Sequence, residues 1–171
     1  MKYLIVGLLS LFSFNLKGQK MNIIQETIHK LFIATDQQDW KTVQRCFASK
    51  VILDYSSMTG NPAATVTPQQ MIESWQGILP GFEHTHHQLG NFLIQENPEW
   101  ATAFCYGTAT HYLENEGQNL WNVVGSYDFK LTPLQGDWKI SKMKFNFKYQ
   151  TGNTALPQLA INQVKSNHQI V

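Results

Sequence analysis

The chain has 171 residues, enough for one domain with a real core and too few for two comfortable ones. Lysine and arginine total 13 against 12 aspartates and glutamates, and no run of like charge occurs, so neither a nucleic-acid footprint nor an acidic tail is present. Electrostatics names no partner.

Residues Met1 to Gln19 begin with Lys2, continue through an apolar stretch from Tyr3 to Phe14, and end in the polar segment Asn15 to Gly18. That is the layout of a secretory signal, with cleavage expected after Gly18. The stretch is too short to cross a bilayer of about 30 Å as a helix, and no cysteine near the cut offers a lipid acceptor. An exported protein, periplasmic or secreted and free of the membrane after processing, is therefore expected.

From Asn22 to Thr35 the residues Ile24, Ile28, Leu31 and Thr35 recur at helical spacing and share one face, with Asp36 at the helix end. A second, short helix is predicted to start at Asp39, an N-cap, and to bury Trp40, Val43 and Phe47. Val51 to Ser56 reads as a strand ending in the turn Gly60, Asn61, Pro62. Thr67, Pro68 and Gln70 carry the signature of a capped helix start, and Met71, Ile72, Trp75 and Leu79 supply its buried face.

After Pro80 and Gly81 helical spacing gives way to alternation. Four strands are predicted at His84 to Gln95, Trp100 to Glu114, Leu120 to Thr132 and Trp138 to Tyr149, joined by short turn-rich links into an antiparallel meander. Helices first and a meander afterwards make the class α+β. In the last strand the apolar residues change parity near Ser141 and Lys142, which predicts a bulge and hence a curved sheet. One face of the second strand reads Cys105, Gly107, Ala109, His111, and small side chains beside an imidazole leave room for a pocket. Residues 150–171 are polar and read as a tail or a lid.

Cys46 and Cys105 read as small buried apolar residues, and two positions alone do not establish a disulfide. No phosphate-cradling glycine loop, serine nucleophile elbow or paired-cysteine metal site occurs, so no cofactor is called for. His84, His86, His87 and His111 raise the question of a metal. Adjacent strand residues point to opposite faces, however, and no cysteine or carboxylate is spaced to complete a ligand set, so none is expected.

His84 and His86 read as solvated. His87 and His111 can each face inward, where a buried imidazole needs a partner, and Asp36 is the candidate for it. Of the neighbours Asp54 and Tyr55 only one can face the interior, and Tyr55 suits a pocket wall better than a lone carboxylate. Tyr106 and Tyr127, with Trp40 and Trp75, are the further aromatic residues expected to pack or to form a wall against a ligand. Trp121 and Trp138, like Trp40 and Trp75, read as packing, with one of the four expected to form a ligand wall.

The segments Asp36 to Trp40, Val51 to Tyr55, Thr85 to Asn91, Thr110 with His111, and Gly136 to Ile140 resemble, in order and spacing, the SnoaL-like branch of the nuclear transport factor 2-like superfamily. That group includes scytalone dehydratase and bile-acid dehydratases. The resemblance covers Asn22 to Tyr149 and implies a cone-shaped α+β fold enclosing a pocket, with residues 19–149 as the domain. It further implies that Asp36 pairs with His111, that His87 is a second imidazole, and that Tyr55 supplies a phenol. The related dehydratases have a second phenol just before the aspartate, where this chain has Thr35. They also have polar residues on the third strand, where Gly125 and Tyr127 stand.

Two functions follow. One is a cofactor-free lyase or isomerase that acts on a small cyclic or carbonyl-bearing molecule through Asp36, Tyr55, His87 and His111. The other is a secreted binding protein that holds a small apolar or aromatic molecule without chemistry. A homodimer or homotrimer through the open face of the sheet is what the resemblance implies for assembly.

Overall fold

The computed structural model describes residues 23–168, so the predicted signal segment lies outside the described residues. The first helix (α1, residues 23–36) buries Ile24, Ile28, Leu31 and Thr35. Each large aliphatic side chain removed from water in this way contributes roughly 1.5–3 kcal/mol. The helix stops where Gln38 takes a positive φ of 56°. Asp39 then accepts a hydrogen bond from Thr42 N and caps helix α2 (Trp40–Cys46).

Phe47, predicted as helical, opens strand β1 (Phe47–Asp54) instead, and remains buried. A single turn, α3 (Ser56–Thr59), and the short strand β2 (Ala64–Val66) follow. Helix α4 (Pro68–Gln76) starts on the predicted capping box, with Thr67 N donating to Gln70 Oε1 at 2.9 Å and Gln70 N to Thr67 Oγ1 at 3.2 Å. A 3₁₀ turn at Leu79–Gly81 leads into the meander.

The meander consists of β3 (His84–Glu96), β4 (Ala101–Tyr112), β5 (Leu120–Leu134) and β6 (Asp137–Gly152). Gln135 and Gly136, with φ of 52° and 89°, make the tight β5–β6 hairpin that two-residue loops favour. Six strands form one curled, unclosed sheet in the order β2-β1-β6-β5-β4-β3, against which the N-terminal helices pack. The expectation of an antiparallel sheet holds for the meander and fails at one seam. There β1 runs parallel to β6, because the chain between them crosses to the far edge before the meander begins.

Curvature comes from bulges. Lys130 pairs with Lys142 and Leu131 with Ile140, which leaves Ser141 as the extra residue where the parity change predicted it. A second register shift leaves Lys148 extra, and beyond it the strand presents its other face. Tyr149 is therefore 54% exposed instead of following Phe147 inward. A third lies in β3 between Gly90 and Leu93, where Asn91 has a φ of 57°.

The C-terminal segment is a helix, α5 (Leu156–His168), not an unstructured tail. Leu156 and Ala160 are fully buried, and α5 packs on the 3₁₀ turn so closely that a Cβ on Gly81 would fall 2.0 Å from Ala160 O. Cys46 and Cys105 are free and buried.

Candidate active site

Strand register places the site. On the inward face, Thr85, His111 and Trp121 share one rung across β3, β4 and β5. His87, Ala109 and Val123 share the next, then Leu89, Gly107 and Gly125. Cys105 and Tyr127 lie one step further. From these rungs His87, Ala109, His111, Trp121, Val123 and Tyr127 line a cavity of about 170 Å³, whose other walls come from α1, α3, α4, the turn after α4 and β6.

Of the small residues on this face, Ala109 borders the open volume and the glycines do not. A Cβ on Gly107 would lie 2.5 Å from the Tyr127 ring, and one on Gly125 would lie 2.5 Å from the Phe145 ring. The two glycines are seats for aromatic rings, and the open volume lies over Ala109 and Val123 instead.

Asp36, the last residue of α1, sits behind His87. Its Oδ1 lies 2.7 Å from His87 Nδ1 and accepts a hydrogen bond from Thr85 Oγ1 at 2.9 Å, while Oδ2 accepts from His87 N at 2.8 Å. A carboxylate at a helix C-terminus opposes the helix dipole, so this is a poor position for a purely structural acid. Burial raises the carboxyl's proton affinity, but the hydrogen bonds and charge of His87, with help from Thr85, outweigh it and hold Asp36 below the usual carboxylate range. An ionised Asp36 requires the proton on His87 Nδ1, so that in the neutral ring the lone pair is on Nε2 of a residue that lines the cavity.

His111 is arranged otherwise. Its Nδ1 donates to the Trp121 carbonyl at 3.3 Å, and its ring lies against Trp121 at 4.5 Å and Phe82 at 4.8 Å between centroids. Burial first, and then the neighbouring His87, push this imidazole down to about 4. Tyr55 and Tyr127 also line the cavity, and neither hydroxyl has a hydrogen-bond partner among the described residues. Burial raises both phenols well above their ordinary range, so both remain protonated donors.

A family model described as the SnoaL-like domain matches residues 20–144. The chain belongs to the SnoaL-like family.

Solved structures share the fold of this SnoaL-like chain. The Kfla4162 protein from Kribbella flavida is 21% identical, with a TM-score of 0.75 over 87% of this chain and 99% of that one. A protein assigned as a scytalone dehydratase from Novosphingobium aromaticivorans is 17% identical, with a TM-score of 0.69 over 81% and 90%. A type 2 hexachlorocyclohexane dehydrochlorinase is 15% identical, with a TM-score of 0.68 over 81% and 91%. Among curated proteins, no sequence matches the chain.

Of the residues singled out in the sequence, Tyr55, Trp75, His87, His111 and Tyr127 line the cavity of the SnoaL-like domain, and Asp36 stands behind it. The pairing of Asp36 with His111 that the resemblance implied is not what the structure contains: the carboxylate meets His87, and His111 is held by a backbone carbonyl. Tyr106 is also misplaced by the sequence reading. As an even-numbered residue of β4 it points to the outer face, 45% exposed, with Lys148 Nζ 4.2 Å from its ring centroid. Trp40 packs half-buried against the core and does not line the cavity.

Thr35 brings no phenol to the cavity, and Tyr127 lines it from β5. Thr85 was missed, although its place two residues before His87 puts it on the same strand face, a signal that alternation carries. Phe32, against His87 at 5.0 Å, and Phe82, against His111, were missed as well. Their contacts join elements distant in sequence.

Proposed function

We propose that this SnoaL-like domain is a cofactor-independent acid/base enzyme of the dehydratase or isomerase type, acting on a small neutral cyclic molecule with a carbonyl group. The observation that carries the reading is the Asp36–His87 pair, a carboxylate fixing the tautomer of an imidazole that lines an apolar cavity. A cavity of about 170 Å³ fits one ring, since an apolar cavity of roughly 150 Å³ takes up benzene. No lysine, arginine or carboxylate is among its described lining residues, which favours an uncharged ligand.

In this mechanism His87 Nε2 takes a proton from the carbon next to the carbonyl. The C–H electron pair becomes the C=C bond of an enolate as the carbonyl π pair moves onto the oxygen, where Tyr55 and Tyr127 donate hydrogen bonds to the developing charge. Asp36 stabilises the imidazolium while it exists. In an isomerisation the imidazolium returns the proton to another carbon. In a dehydration the enolate electrons re-form the carbonyl as the neighbouring C–O bond breaks, and the imidazolium protonates the departing hydroxide. The names of the similar dehydratase and dehydrochlorinase, both eliminating enzymes, support the second course.

Proton exchange in D₂O tests the base without requiring the natural substrate. Cyclohexanone and 2-cyclohexenone, followed by proton NMR, should lose their α-protons faster with the protein than in buffer. His87→Ala should slow that exchange by about 10²–10⁴-fold. Ketones that bind without exchanging would overturn the reading and leave the non-catalytic binding protein.

A further inference from the structure

The cavity has two chemically different ends. Tyr127 leans its ring over Gly107, so the phenol end lies at the Leu89–Gly107–Gly125 rung, and Tyr55 joins it through the Phe145 ring that both phenols contact. His111 is four residues further along β4, about 13 Å of strand. Between the ends the floor is the rung of Ala109 and Val123, and His87 pairs with Ala109 on that same rung. Two donors therefore stand at one end, a base in the middle, and His111 at the other end.

The direction of the hydrogen bond at His111 is forced. A carbonyl oxygen can only accept, so Nδ1 carries the proton toward Trp121 O, and Nε2 of the neutral ring can only accept. The ring cannot readily turn to exchange the two nitrogens, because Trp121 and Phe82 pack on it, and Trp121 is itself tied through Nε1 to Gln150 Oε1 at 2.9 Å. Aromatic burial also keeps the imidazole neutral near pH 7.

Resting on the acid/base reading above, we infer that His111 is a specificity-determining acceptor for a ligand hydroxyl, so that the substrate is a neutral one-ring compound with a carbonyl at one end and a retained hydroxyl at the other. This hydroxyl is not the leaving group. A departing hydroxide needs a proton, and His111 Nε2 has none to give. The group that leaves, or the oxygen that gains charge, belongs near His87 and the two phenols.

Binding of phenol and toluene, two neutral rings of nearly equal size, tests the assignment. In the wild type, calorimetry should show a phenol-over-toluene affinity ratio that falls by about 3- to 10-fold in His111→Phe, the effect of one neutral hydrogen bond. His111→Gln, which keeps an acceptor, should restore part of it, and His87→Phe, which removes the other imidazole of the cavity, should lower the ratio less than His111→Phe does. In the wild type, the ¹⁵N resonance of His111 Nε2 should move on adding phenol and not on adding toluene, a readout that does not depend on any variant folding.

A preference lost in His87→Phe but kept in His111→Phe would place the hydroxyl at the base and overturn the inference while sparing the acid/base reading. A ratio unchanged in both variants, or a silent Nε2 resonance, would also overturn it. A wild type that discriminates phenol through His111 yet exchanges no ketone proton would instead sink the acid/base reading and leave His111 standing as the hydroxyl acceptor of a binding protein.

Discussion

His87 and His111 occupy adjacent inward rungs of neighbouring strands, and in both the Nδ1 nitrogen is engaged. At His87 the partner is a carboxylate, fixed in turn by Thr85 Oγ1 and by the backbone N–H of His87 itself. At His111 the partner is a peptide carbonyl, and aromatic rings cover the faces. An imidazolium at the first position would be stabilised by a full opposite charge, and at the second only by a dipole. The lesson is that the atom behind an imidazole defines the setting of its other nitrogen: one ring is backed by a carboxylate and the other by a carbonyl dipole.

The strongest way to break this contrast is to remove the charge behind His87. Asp36→Asn keeps the shape of the site but not its anion, and the deuterium-exchange rate should fall by about 10²–10⁴-fold. A rate within twofold of wild type would mean that the carboxylate is only structural.

The contrast is sharpened by pH. His111 is lowered from 6.5 to about 4, so between these values the unfolded chain binds a proton that the folded chain refuses. The stability associated with the neutral ring is fully present above pH 6.5 and is lost as the pH falls toward 4, by on the order of 3 kcal/mol. Urea midpoints should follow that slope in the wild type, and the slope should flatten in His111→Phe. Asp36 acts at lower pH: its contribution is present above 3.8 and disappears as the pH falls through its depressed folded value.

A smaller effect is expected from Gly81→Ala. The added methyl meets the backbone of Ala160, which cannot swing aside as a side chain can, and the ring of Phe82, the next residue, packs at a tilt against His111. A loss of about 1–3 kcal/mol, with trypsin cutting earlier in α5, is expected in urea titration and limited proteolysis. The His111 end should loosen while the contact between Asp36 and His87 persists. The smallest effect belongs to Tyr106→Ala on the outer face, which should change stability by no more than about 0.5 kcal/mol and leave exchange untouched. A large loss of exchange there would contradict the assignment of the outer face.

The amino-acid sequence by itself determined the periodic and local features. Helical spacing located the buried face of α1, a Thr and a Gln three apart located the start of α4, and a change of apolar parity located the bulge at Ser141. Alternation also separated the inward His87 from the exposed His84 and His86. Such features depend on residues a few positions apart, whose geometry the backbone repeat dictates.

Only the tertiary structure decided which imidazole Asp36 would meet, because the two candidates lie on adjacent rungs and a few ångströms in the placement of a helix end choose between them. The same holds for Tyr127, which fills the space its glycine neighbour leaves, and for the parallel seam between β1 and β6. Those outcomes depend on packing between elements distant along the chain, where no periodic rule operates and shape decides.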